Sequence, residues 1–488
     1  MKTIQLIICI LFMASAYSYT QNFEKYFEDA VMRVDYHHTG NAKEETFSVD
    51  RIYRYNKWGR SFKNLTDNFN NGKYYIKVYS LPDKILLYSK GFDSYFGEYQ
   101  TSDKALEGIK KSYHETAVIP FPKQKVLFTI EKRNRNYKFD SLFEEVIDPS
   151  EVNIIAESLN DPSVEVIKSF SGGDPSVKVD VVILAEGYTA QERDKFVRDL
   201  DRFTGYFFEN EPYKTLKQSF NIYGVFKPSV ETGTDEPPAG IFRNTVLNST
   251  FNSLGSERYL LTEDNKAVRD LAAYAPYDAI YIMVNHKKYG GGGIYNFFCT
   301  FSADAQFSKY LFIHEFGHSF AGLADEYYTS STAYNEFYPL GVEPNEPNIT
   351  ALPDKNNLKW KESLTPGIEL PTPWEKEEFD KMDIAWQKDR AELNTKIAQM
   401  KRENADPGLI KAAEIEYAKK DRKNAEVVDQ YLKSSKYAGM TGAFEGAGYI
   451  SKGMFRPMLD CIMFSKGDKP FCKVCGAHIA KVIRFYTE

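Results

Sequence analysis

The chain has 488 residues, enough for two or three domains of roughly 150 residues each. Apolar residues make up 42% and charged residues 27%, so a globular core can be buried without disulfides or metal to hold it. The 62 basic and 68 acidic side chains leave a net charge of −6 with no basic run, which argues against nucleic acid as a partner.

The first segment, Met1-Lys2-Thr3 followed by an apolar stretch from Ile4 to Ala16, has the form of a secretory signal. Small residues at Ala14-Ser15-Ala16 predict a signal peptide over 1–16, and Cys9 leaves with it. Once it is removed, no apolar run is long enough for a transmembrane span. The expected location is exported: periplasmic, outer-surface or secreted. Cys299, Cys461, Cys472 and Cys475 remain, and an oxidising compartment permits disulfides among them.

Residues 20–165 read as a β-rich domain. The runs Tyr74–Tyr79, Lys84–Tyr88 and Val126–Ile130 are strand-like, with turn signals at Asn71-Gly72 and Pro82-Asp83. His37 and His38 are adjacent, and a strand would point them to opposite faces, so they do not form a metal pair. A β-sandwich-like unit with a binding or packing role is expected. The Gly/Asp/Pro/Ser stretch Ser171–Ser176 reads as a linker.

From 170 to 488 strands and helices alternate, and the overall class is α+β. Val179–Leu184, Phe220–Phe226 and Ala279–Val284 are buried-type strands. Thr189-Ala190-Gln191-Glu192 is a capping box for a helix carrying Phe196, Leu200, Phe203 and Phe207 on one face. Between 375 and 435, Phe379, Trp386, Leu393 and Met400 recur every seven residues before a break at Asp406-Pro407-Gly408. That pattern predicts a helical hairpin inserted into the domain as a packing device. Gly290–Gly293 follows the third strand and reads either as a cleft rim that an extended peptide could pair with or as a flexible loop.

The chemistry is concentrated at His314-Glu315-Phe316-Gly317-His318. Two His at i and i+4 stand one above the other on a helix face and can share one Zn2+. Glu315 lies beside them as a candidate general base. With seven His in the chain, an accidental match has a chance on the order of one in a hundred. A catalytic zinc needs a third protein ligand. Gly322 can end the helix in a left-handed conformation and turn the chain back, offering Asp325 as that ligand, with Glu326 as the alternative.

These residues resemble the metzincin zinc peptidases, in which a helix-ending Gly precedes the third ligand and a Met-turn lies under the metal. Cys461-Ile462-Met463 is similar to that turn, which implies Met463 as the apolar floor of the site. Gly322 and Asp325 each lie one residue later than the clan's spacing. A closer resemblance is to the IgA-peptidase family of secreted bacterial zinc metallopeptidases. It runs through His314 to Tyr327, Phe444-Glu445-Gly446-Ala447, Arg456-Pro457, Cys461-Ile462-Met463 and Phe471-Cys472-x-Val474-Cys475. That resemblance covers about 170 to 488. The region before it is similar to the β-rich domain that commonly precedes this peptidase. Cys461 with Cys472-x-x-Cys475 also resembles the archaemetzincins, where such cysteines hold structural zinc, and Cys299 would then be the fourth sulfur. In an exported chain a disulfide from Cys461 to Cys472 or Cys475 is the preferred expectation.

The resemblance implies a metzincin-like zinc peptidase acting on a protein or glycoprotein substrate, with zinc held by His314, His318 and Asp325. Tyr449 and Arg456 are candidates for a second oxyanion donor. Two rivals remain at this stage. One is a non-enzymatic surface module with a structural zinc closed by a fourth ligand such as His478 or Glu326. The other is a zinc amidase acting on glycopeptide or cell-wall linkages.

Overall fold

The computed structural model describes residues 23–156, 158–329, 337–339, 341–352 and 354–488. The predicted signal at 1–16 lies outside the described residues.

The first region builds two antiparallel sheets. Strands β1 (Phe27–Gly40), β2 (Glu45–Asn56) and β5 (Lys111–Pro122) pair in the order β2-β1-β5. Strands β3 (Tyr74–Ser80), β4 (Leu86–Phe92), β6 (Val126–Arg133) and β7 (Phe139–Ile147) pair in the order β4-β3-β6-β7. Alternate residues face inward, so Met32, Val34 and Tyr36 of β1 share one core with Ile76, Val78, Phe128 and Ile130 of the other sheet. The same alternation separates the adjacent histidines. His37 is exposed, whereas His38 is buried between Glu45 and Glu115 at 3.0 and 3.1 Å. The strand expected from Lys84 starts two residues later, at Leu86. Lys84 has φ 51° and its amide donates to Ser80 O at 3.0 Å, so it belongs to the turn.

The second region is organised on a six-stranded sheet. In chain order its strands are β8 (Glu165–Ser171), β9 (Val179–Glu186), β10 (Phe220–Phe226), β11 (Ala279–Val284), β12 (Gly291–Ile294) and β13 (Phe298–Ser302), arranged β12-β13-β11-β9-β10-β8. The four inner strands are parallel, and both edge strands run antiparallel to their neighbours. Parallel strands covered on both faces need apolar side chains on both, and β9 and β11 are buried throughout. Val181, Ile183, Tyr281 and Met283 face one core, with the helix Arg193–Glu209 and the helix Ser308–Ala321. Val182, Leu184, Ile280 and Ile282 face another, where they meet Tyr95, Phe96 and Tyr99 of the first region. The capping box forms as the sequence implies, with Thr189 N donating to Glu192 Oε2 at 2.9 Å.

The stretch Ser171–Ser176 is not a linker between domains. β8 ends at Ser171 and already pairs with β10, so the stretch joins two strands of one sheet. Its glycines serve a tight connection: a Cβ on Gly172 would sit 2.4 Å from Gln218 O.

Helices Lys376–Arg402 and Pro407–Ser434 follow each other closely and pack together. Phe379, Val428 and Leu432 join the main core, while Trp386, Leu393 and Met400 are half-buried. Asp406 caps the second helix through Leu409 N at 3.1 Å, with Pro407 in its first turn. The chain then forms β14 (Thr441–Ala447) and β15 (Ile450–Met458), an antiparallel pair, and closes with the helix Lys473–Thr487.

Candidate metal centre

The helix Ser308–Ala321 is buried along nearly its whole length, and His314, Glu315 and His318 line a cavity. Phe312 and Phe316 stack on the Tyr281 ring at 4.5 and 5.0 Å between centroids, which turns His314 and His318 away from the sheet. Gly322 ends the helix at φ 59°, a left-handed conformation that glycine takes without steric cost. A Cβ there would also strike Asn71 Nδ2 at 2.1 Å. Asn71, read from the sequence only as a turn residue, donates to Gly322 O at 3.2 Å and so satisfies a helix-end carbonyl from the other region.

After Gly322 the chain doubles back and brings Asp325 to the histidines. Asp325 Oδ1 lies 3.0 Å from His314 Nε2 and 3.2 Å from His318 Nε2, and the two Nε2 atoms are 3.1 Å apart. Oδ1 is buried and is aligned for a hydrogen bond with neither. Three donors around an ion at about 2.0–2.1 Å would be about 3.3 Å apart in a tetrahedron, so this near-equilateral triangle suits one metal ion. The outer contacts orient each donor. His314 Nδ1 donates to Ile462 O at 3.0 Å and His318 Nδ1 to Leu323 O at 2.6 Å, which leaves both Nε2 atoms facing Asp325. Tyr449 donates its hydroxyl to Asp325 Oδ2. Tyr449 itself has φ 65°, and its backbone N–H donates a hydrogen bond to Tyr327 O at 3.0 Å. Left-handed backbone at a bulky residue costs about 1–2 kcal/mol, an expense concentrated on the residue that aims at Asp325.

Charge follows this packing. Burial pulls the His318 imidazole down, but the Asp325 carboxylate outweighs it and raises the pKa to about 9. Burial works against the Asp325 carboxylate too, yet His318 and His314 hold it well below the ordinary range. Burial pushes the Glu315 carboxyl up, against the pull of both histidines. A Glu315 carboxylate oxygen and nitrogens of the two imidazoles all lie within 4.8 Å of one another.

His314, Glu315, His318 and Asp325 open onto a cavity of about 490 Å³. One wall is β12, the predicted glycine stretch, which forms an edge strand rather than a loop. Its glycines are required by the helix behind it. A Cβ on Gly293 would lie 2.5 Å from Glu315 O, and one on Gly291 would lie 3.0 Å from Glu315 Oε1. The facing wall comes from the first region and carries Lys73, Asp93, Lys132, Arg133 and Arg135. Burial lowers Lys73 to about 8 and raises Asp93 to about 6. This charged wall was missed in the sequence, because its members are scattered between residues 73 and 135 and meet only when the two regions pack.

Met463 is fully buried beneath the helix, and its sulfur would be 3.0 Å from a Cβ on Gly317. Arg456 is not at the cavity; its guanidinium donates to Gly446 O at 2.7 Å and Leu459 O at 3.1 Å and lies against Phe464. His478 packs near Phe69, and Glu326 turns away from the histidines, so neither completes this centre. No disulfide links the cysteines: all four are free, and Cys461 Sγ is 3.9 Å from Cys475 Sγ. Cys299 is not the fourth sulfur of their cluster; it lies in β13 with its thiol 3.7 Å from Ile280 O.

With this geometry in place, comparison with known families is decisive. The family model described as IgA Peptidase M64 matches residues 165–483, and Peptidase M64 N-terminus matches 22–144. The chain belongs to the IgA peptidase M64 family. It is therefore a peptidase of a metallopeptidase family, and a group that can hold a metal stands in its cavity. Among curated proteins none matches significantly. No helix among the described residues is long and apolar enough to cross a membrane.

Proposed function

We propose that the protein is an exported zinc-dependent endopeptidase of metzincin-like architecture, with the paired helices at 376–434 as an inserted hairpin. The reading is carried by one observation: three donors, His314, His318 and Asp325, converge at the floor of a cleft with a buried carboxylate beside them. Two imidazoles and one carboxylate suit zinc, and a catalytic site keeps its remaining position free for water or substrate. A bound zinc ion supplies Lewis acidity, polarising a carbonyl oxygen and acidifying water.

The chain's own residues do the rest. Glu315 takes the proton from the attacking water and hands it to the leaving amine; its burial favours this proton shuttle by raising its affinity for the proton. Ile462 O and Leu323 O hold the two imidazoles in the tautomer whose Nε2 is free, and Tyr449 steadies Asp325. The edge strand β12 offers backbone to an extended peptide, so a protein or glycoprotein chain is the expected substrate. The signal-like N-terminus supports an exported location.

The test is metal analysis together with unbiased cleavage-site profiling of the wild type and Glu315→Gln. Glu315→Gln should retain zinc and lose hydrolysis by about 10²–10⁴-fold. Undiminished cleavage in that variant would overturn the general-base assignment. Cleavage of cell-wall fragments with none of peptides would favour the amidase instead.

A further inference from the structure

A second cluster of donors lies outside the cavity, one residue further along the chain from Asp325. Glu326, Cys461, Cys472 and Cys475 are all buried, and one ligand atom from each lies within 4.8 Å of the others. Cys461 Sγ and Cys475 Sγ are 3.9 Å apart, close to the ~3.8 Å edge of a tetrahedron with metal–sulfur bonds of about 2.3 Å. Cys475 Sγ lies 3.2 Å from Glu326 Oε1. The other oxygen, Oε2, belongs to a fully buried residue and has no hydrogen-bond partner in the structure.

Backbone donors point at two of the sulfurs. Cys472 N donates to Cys461 Sγ at 3.1 Å and Cys475 N to Cys472 Sγ at 3.5 Å. Cys472 is the N-cap of the helix Lys473–Thr487, so two of the sulfurs stand at its positive end. Asn348, itself fully buried, fixes Glu326 by donating to Oε1 at 3.0 Å. Three sulfurs and one carboxylate packed together with a carboxylate oxygen unsatisfied are a poor apolar core and a good cation cage.

We propose that Cys461, Cys472, Cys475 and Glu326 form a second metal site, closed and structural, that binds a zinc ion. Its four protein donors leave no place for water, unlike the centre in the cleft. The site ties three elements together: the return loop that carries Asp325, the turn whose Ile462 O orients His314, and the C-terminal helix. This assignment rests on its own donor set and stands whether or not the cleft hydrolyses peptides.

The experiment uses the full chain and its His314→Ala/His318→Ala variant, which removes the first centre and leaves the second intact. Metal content is measured by mass spectrometry and the zinc environment by X-ray absorption. The wild type should hold about two zinc equivalents and the double variant about one, the latter with three sulfurs and one oxygen in its first shell. Cys475→Ser in the double-variant background should abolish the remaining equivalent. Because that change can also unfold the chain, cysteine alkylation of the wild type after denaturation with chelator and without reductant is run alongside. Cys299, Cys461, Cys472 and Cys475 should all be modified. A double variant free of metal, a first shell without sulfur, or a disulfide among these cysteines would each overturn the proposal.

Discussion

Asp325 and Glu326 are adjacent in the chain, yet they serve clusters of opposite character. Asp325 joins two imidazoles at the floor of a cavity. Glu326 points the other way, into three sulfurs sealed from water. The two side chains leave the loop in different directions, so one short loop feeds both. The amide of Glu326 is anchored to Met463 O at 2.8 Å and that of Ala324 to Asn348 Oδ1 at 2.8 Å, which holds the loop between them. In the reading proposed above, the open cluster serves turnover and the closed one rigidity. Donor type follows duty, with borderline nitrogen and oxygen in the cleft and soft sulfur in the core.

Tyr449→Phe removes the hydroxyl that holds Asp325 Oδ2. Metal affinity in the cleft should fall about 10–100-fold, with the sulfur cluster's metal unchanged. Competition with a chromophoric chelator reads both, and equal loss at the two sites would erase the distinction.

A smaller effect comes with pH. In the metal-free protein the His318–Asp325 pair keeps the imidazole protonated to about pH 9, above the ordinary 6.5. The pair therefore stabilises the metal-free fold fully below pH 6.5, and that contribution fades as pH rises through 9. Metal must displace this proton, so uptake in the cleft should release about one proton at neutral pH and tighten about tenfold per pH unit up to that point. Calorimetry in buffers of different ionisation enthalpy measures the proton count; a count of zero would contradict the pairing.

The smallest effect tests the seam between the two regions. Asn71→Ala leaves Gly322 O without its donor and should cost about 1 kcal/mol in unfolding free energy, read by denaturant titration. No change would mean that the helix end is served equally well by solvent.

Much of the second region was legible because its signals are local. The strands at 220 and 279 begin and end where the sequence places them, since a strand buried on both faces is apolar at most positions, with Asn221 the buried polar exception. His314, Glu315 and His318 share one helical turn, and Gly322 announces its end. The stretch at 171–176 reads as a linker in the sequence because glycine and serine mark any tight connection, including one inside a sheet. The cysteines misled for a different reason: pairing depends on where sulfurs sit in space, and Cys299 is as available on paper as Glu326.

By itself the sequence determined the helix that presents two imidazoles, the glycine that ends it, and the alternation of strands and helices that supports it. These depend on neighbours within a few residues, where backbone geometry dictates the outcome. Only the tertiary structure decided that Glu326 joins the sulfurs, that Asn71 serves the helix end at Gly322, and that a charged wall of the first region faces the cleft. Those choices depend on contacts across tens to hundreds of residues, which packing creates and no local pattern encodes.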